Sequence, residues 1–171
     1  MSIEGRDDAF QSLIKRYEVL VTQLVWRMIP CMEDREEICQ DIFVKAYFNL
    51  RKFRFDSKFS TWLYTIAYRA SLSFLRKKQL ETEPFDEDLI LDVVSPHEDG
   101  LKKLLQSAIN KLSVDERTAI TLYHFHDCTI DEISVITKTP SGTIKNMLFR
   151  TRKKLRLNLD DSLRDTYREV I

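Results

Sequence analysis

A chain of 171 residues with no formal net charge, 43% hydrophobic and 32% charged, is long enough to bury a core and too apolar to be disordered. No stretch reaches the about 20 apolar residues that a membrane span needs, and residues 1–8 hold no apolar signal core, so neither membrane insertion nor export is expected. Three scattered cysteines (Cys31, Cys39, Cys128) exclude a disulfide framework and point to reduced thiols in the cytoplasm, and three glycines exclude Gly-rich phosphate cradles.

The zero is a sum of segregated blocks. Residues 1–50 carry 6 basic and 9 acidic side chains, residues 51–80 carry 8 and 1, and residues 81–100 carry none and 8. Residues 101–137 hold 4 basic and 5 acidic side chains, and residues 138–171 hold 9 and 4. Two cationic blocks around an anionic strap suggest a polyanionic partner touched in two places.

The hydrophobic period is helical throughout and predicts an all-α protein. Phe10, Leu13, Ile14, Tyr17, Leu20, Val21, Leu24, Val25 and Met28 mark a first helix that Pro30 ends. Asp34 with Glu37 reads as a capping box opening a second helix, which carries Ile38, Ile42, Phe43, Ala46 and Leu50. A basic aromatic connector over residues 51–59 follows, and Ser60 is the expected cap of a third helix ending in Arg76-Lys77-Lys78. Residues 81–100 contain Pro84, Pro96 and Gly100 and read as a flexible linker between a domain over 1–80 and one over 101–158.

In the second domain Leu101, Leu104, Leu105, Ala108, Ile109 and Leu112 mark one helix. Ser113 with Glu116, and Thr129 with Glu132, read as capping boxes for the next two. Thr139 is then the expected cap, with Pro140 in the first helical position, of a last helix whose inner face is Ile144, Leu148, Thr151 and Leu155. Residues 159–171 form a tail to which no role attaches.

A short helix, a tight break and a longer helix within residues 129–156 have the proportions of a helix-turn-helix. From Lys138 to Arg156 there are seven cations and no acid, a bias that a merely solvated face would not show. Arg and Asn read base edges in pairs of hydrogen bonds, and lysines neutralise phosphate. The first basic block differs: aromatic rings at Phe53, Phe55, Phe59, Trp62, Tyr64 and Tyr68 interleave with Arg51, Lys52, Arg54, Lys58 and Arg69. That mixture suits single-stranded nucleic acid, whose unstacked bases lie on rings while cations hold the backbone; the competing reading is that most of these rings are core. His124, His126 and Cys128 have metal-ligand side chains but not a zinc spacing, and the acids Glu33, Asp34, Glu36, Glu37 and Asp41 lack a Glu-x-x-His companion. No motif requires a cofactor, and no catalytic signature is present.

These segments resemble bacterial RNA polymerase sigma factors of the extracytoplasmic-function subgroup of the sigma-70 family. Residues 34–47 are similar to the helix of region 2 that binds core polymerase, which implies that role for Asp34, Glu37, Gln40, Asp41 and Phe43. Phe59-Ser60-Thr61-Trp62-Leu63-Tyr64-Thr65-Ile66-Ala67 resembles the opening of the minus-ten helix. Melted minus-ten DNA is then the implied partner of Lys52, Phe53, Arg54, Phe55, Lys58, Trp62, Arg69 and Arg76. Residues 112–156, centred on Ser141-Gly142-Thr143-Ile144-Lys145, resemble region 4, which implies that Lys145, Asn146, Phe149, Arg150, Arg152, Lys153 and Lys154 face double-stranded minus-thirty-five DNA.

The resemblance further implies a region 2 bundle and a region 4 helix-turn-helix, core RNA polymerase and promoter DNA as partners, a possible anti-sigma factor, and no enzymatic activity. It also implies a linker whose acids mimic nucleic acid inside the polymerase. The chain departs from the family at Lys138, where glycine is usual, and the expected consequence is a longer or differently shaped turn. A stand-alone helix-turn-helix regulator would leave the basic aromatic connector unexplained, and a nucleic-acid-processing enzyme would need catalytic groups the chain lacks.

Overall fold

Apolar side chains spaced three and four apart put one stripe of each helix against a common core. The computed structural model describes the backbone of residues 3–81 and 100–169 and the side chains of residues 10–79 and 104–160. Among the described residues seven helices follow in order: α1 (Ile3–Met28), α2 (Met32–Asn49), α3 (Phe59–Glu81), α4 (Gly100–Asn110), α5 (Val114–His124), α6 (Ile130–Thr137) and α7 (Ser141–Glu169). A 3-10 turn, Leu50–Lys52, follows α2, and no strand occurs among the described residues. The all-α expectation therefore holds. Most of the acidic linker, the side chain of Leu101, and the side chains of the tail beyond residue 160 lie outside what is described.

Helices α1, α2 and α3 pack around Val21, Leu24, Val25, Met28, Ile38, Ile42, Ala46, Leu63 and Ala67. The elbow after α1 is closed by Arg35. Its Nε donates to the Ile29 carbonyl at 2.9 Å and its Nη2 to the Pro30 carbonyl at 2.8 Å, while the guanidinium lies 5.4 Å from the Trp26 ring centre. A buried charge is tolerated because carbonyls left over at the end of α1 need donors.

The start of α2 corrects one expectation. The helix begins at Met32 with Cys31 as its cap residue, no side chain caps it, and no Asp34–Glu37 box forms. Asp34 lies in the first turn, where an acid favours the helix dipole, and its carboxylate is taken by Lys78 of α3 at 2.5 Å. Helix α3 likewise begins before Ser60: the Trp62 N–H reaches the Lys58 carbonyl, and Phe59 is drawn into the first turn by ring contacts with Tyr17 and Trp62, both at 5.3 Å.

The second group packs α4 to α7 around Ala108, Ile109, Leu112, Ile120, Leu122, Ile133, Ile136, Ile144 and Leu148. Both expected capping boxes form. The Glu116 N–H donates to Ser113 Oγ and the Ser113 N–H to Glu116 Oε2; Thr129 and Glu132 reciprocate in the same way. Lys138 takes the left-handed conformation at φ 55°, as a glycine would, and the break between α6 and α7 stays three residues long. The expected lengthening of the turn does not occur, because the left-handed residue lets the N–H groups of Lys138 and Thr139 reach the Ser134 carbonyl. Pro140, not Thr139, is the cap of α7: its carbonyl accepts from Thr143 and Ile144, and it has no N–H to leave unpaired.

The two groups also pack on each other, α3 against α6 and α1 against α5. Tyr64 and Tyr68, which the sequence pattern placed among the nucleic-acid rings, are buried in this seam at 1% and 7% exposure.

Candidate nucleic-acid interface

The outer face of α7 is set by its inner one. Ile144, Leu148 and Thr151 are buried, so Lys145, Asn146, Phe149, Arg150 and Lys153 point to solvent, with Phe149 71% exposed. Lys145, Asn146, Arg150 and Lys153 make no hydrogen bond or ion pair, and so present unspent donors to an approaching groove. Two of the expected readers turn back onto the protein. Arg152 lies 5.2 Å from the Tyr123 ring centre and its Nε is 3.4 Å from His124 Nε2; burial and the Arg152 charge both push the His124 imidazole down. Lys154 Nζ binds Glu116 Oε1 at 2.5 Å. Burial works to raise the Glu116 carboxyl, but Lys154 and the Ser113 N–H outweigh it and hold the group below the usual carboxylate range. Ser141 Oγ reaches Asp131 Oδ1 at 2.8 Å and ties α6 to the first turn of α7, a link the sequence reading missed.

In the first basic block the rings form a cluster rather than a dispersed surface. Phe53 packs against Phe55 at 4.7 Å, Trp62 at 5.3 Å and Phe59 at 5.7 Å. Phe53 and Trp62 are half-buried, whereas Phe55 is 84% exposed and sits at φ 62°, a strained position for a bulky residue. Lys52, Arg54, Arg69 and Arg76 are exposed and unpaired. Lys58 is exposed but bound to Glu132 Oε1 at 2.9 Å, and that hydrogen bond and charge raise its ammonium. Rings backed by a core and fringed with free cations can stack bases and hold the strand that carries them.

On α2, Glu37 and Gln40 are exposed, and Asp41 pairs with Lys45 one turn on. Phe43 packs inward against the core, and Asp34 is engaged with Lys78. Two residues missed by the sequence reading complete this face: Val44 and Phe48 are 52% and 72% exposed. Their steps from Glu37 and Asp41 are helical, and that spacing was the available signal. His124, His126 and Cys128 diverge: His124 meets Arg152, His126 stacks on Tyr64, and the buried Cys128 thiol donates to the His126 carbonyl. Among the described residues no helix is long and apolar enough to cross a membrane.

A helix-turn-helix with a cationic outer face, joined to a bundle with an aromatic cationic edge, defines a DNA-binding protein of two helical parts. Comparison with known proteins makes the class specific. Residues 13–81 match the Sigma-70 region 2 family and residues 102–155 match Sigma-70, region 4. The ECF RNA polymerase sigma factor SigW of Bacillus subtilis is 33% identical over 92% of this chain and 92% of its own length. The ECF RNA polymerase sigma-E factor of Escherichia coli is 32% identical over 89% and 87%. In fold, the chain resembles the sigma factor RpoE from Bartonella quintana, solved with the anti-sigma factor NepR, at a TM-score of 0.76 and 21% identity over 89% of this chain and 97% of that one. CnrH, solved with the cytosolic domain of CnrY, follows at 0.67 and 23% over 91% and 90%. The chain belongs to the sigma-70 family of RNA polymerase sigma factors, in the extracytoplasmic-function group, and is a factor for transcription initiation.

Proposed function

We propose that the chain directs core RNA polymerase to promoters by three separate faces and acts in the cytoplasm by binding, without catalysis of its own. The exposed strip of α2, with Glu37, Gln40, Asp41, Val44 and Phe48, docks on core polymerase; acids around an apolar centre suit a basic partner helix. The outer face of α7 reads minus-thirty-five duplex, with Arg150 at a base edge and Lys145 and Lys153 on phosphates. Phe55, with Lys52 and Arg54 around it, stacks and holds melted minus-ten DNA, while Arg69 and Arg76 carry the strand along α3. An anti-sigma factor, the kind of partner with which RpoE was solved, competes for these faces.

The observation that carries this reading is the division of α7 into a buried inner face of Ile144, Leu148 and Thr151 and an outer face on which Lys145, Asn146, Arg150 and Lys153 are unpaired donors. The minus-ten assignment is tested by alanine at Lys52, Arg54 and Phe55 together, in run-off transcription with purified core polymerase. The triple variant is expected to lose open complexes on duplex promoter and to recover on a pre-melted bubble, because the bubble removes the cost of opening. Equal losses on the two templates would reject it.

A further inference from the structure

The outward stripe of α7 runs through Gly142, Asn146, Phe149 and Lys153 at steps of three and four residues, with Lys145 and Arg150 beside it. All are exposed, and Gly142 alone brings no side chain. The ring of Phe149, 71% exposed, stands two turns further on, about 10 Å along the axis. The stripe therefore has a bare end and a bulky middle.

Nothing in the fold asks for that glycine. It lies inside a helix, so no left-handed turn requires it; the left-handed positions among the described residues are Phe55, Asp127 and Lys138. A methyl group on its Cα would meet no atom of the described residues within 4 Å, so no neighbouring helix or loop comes too close for a side chain. Glycine also weakens a helix relative to alanine, because its backbone loses more freedom on ordering. The whole chain holds three glycines in 171 residues, and this one stands where a better helix former would fit. Of the physical reasons for a glycine, the one left is close approach of the backbone to something outside the chain.

The backbone at this point is also fastened. Ser141 Oγ donates to Asp131 Oδ1 at 2.8 Å, the Thr139 N–H reaches the Ser134 carbonyl at 3.2 Å, and the Ile144 N–H reaches the Pro140 carbonyl at 3.0 Å. Behind it Ile144 is buried in the core. The tip of α7 is thus held against swinging away from an object that crowds Gly142. A major groove is about 12 Å wide and a helix with its side chains about 10–12 Å across, so the fit is tight and one side chain changes how deep the helix sits.

We propose that Gly142 is the point of closest approach between α7 and duplex DNA, and that its missing side chain is a determinant of minus-thirty-five recognition, setting the depth at which the helix enters the groove. The proposal rests on the minus-thirty-five reading of α7 given above and extends it to a residue with no side chain to donate. A side chain at this position lifts the tip, and Lys145 and Asn146, one turn on, are the first donors to leave the DNA.

The test uses the full chain, alone for urea unfolding and joined to purified core polymerase for binding to a labelled duplex carrying the minus-thirty-five element. Gly142→Ala and Gly142→Leu add side chains of increasing size from two good helix formers, and Arg150→Ala reports on the face as a whole. The two glycine variants should keep or raise the urea midpoint yet lose at least about 5-fold in affinity, the lower end of what one base contact is worth, with leucine losing more. Capture of core polymerase should not change. Retained stability with lost affinity is a combination that a glycine serving the fold cannot give. Loss for Arg150→Ala with wild-type affinity for both glycine variants overturns the proposal and leaves the reading of α7 standing; wild-type affinity for all three overturns both. A midpoint that falls with the affinity, a smaller loss for leucine than for alanine, or a loss confined to capture of polymerase also overturns the proposal.

Discussion

Arg150 and Arg152 are two positions apart on one helix, and the structure predicts different consequences for their loss. Arg150 is exposed and makes no hydrogen bond or ion pair, so truncation takes nothing from the fold and its whole effect falls on DNA. A guanidinium fork on a guanine edge is worth about 1–3 kcal/mol, so Arg150→Ala should lose about 5- to 150-fold in affinity and relax preference at one base pair. Arg152 is bound to Tyr123 and His124. An exposed cation–ring contact is worth about 0.5–1 kcal/mol, and a 3.4 Å hydrogen bond adds little, so Arg152→Ala should lower stability by under about 1 kcal/mol and leave base preference intact. Lys153→Ala supplies the third pattern, even weakening across sequences and a salt slope shallower by about one. The assay is binding to a randomised minus-thirty-five duplex library at several salt concentrations, beside urea unfolding of each variant. If Arg152→Ala shifts base preference and Arg150→Ala does not, the assignment of inner and outer donors on α7 is wrong.

Two further predictions use other parts of the chain. Reversing charge at Glu37 and Asp41 to lysine should weaken capture of core polymerase without moving the melting temperature, since Asp41 is tied only to Lys45 on the surface; unchanged capture would remove α2 as the docking face. Lys138→Gly relieves a left-handed lysine at φ 55° and should raise stability by about 0.5–1 kcal/mol, read as a higher urea midpoint, with a lower midpoint as the contrary result.

What the sequence disclosed and what it hid divide along a physical line. The Ser113–Glu116 and Thr129–Glu132 boxes and the inner face of α7 were legible because their partners lie within a turn or two of the same helix. Lys138 was legible as an anomaly, but not its outcome, because a left-handed lysine costs little against a turn that packing otherwise dictates. The engagements of Arg152 with His124, Lys154 with Glu116 and Thr61 with Glu132 cross 28, 38 and 71 residues, and no local spacing announces them. Tyr64 and Tyr68 went astray for the same reason: their helical period marks them as facing something, and only the packed second group shows what.

The span of that packing bears on the order in which the protein is made. Contacts among α1, α2 and α3 join neighbours along the chain and can form as soon as α3 has left the ribosome. Glu132 follows Thr61 by 71 residues, which at roughly 5–20 residues per second takes about 4–14 s to synthesise. Throughout that interval the nascent bundle stands with Tyr64 and Tyr68 uncovered, and two aromatic rings that the folded chain holds in a seam are first presented to the cell as open surface.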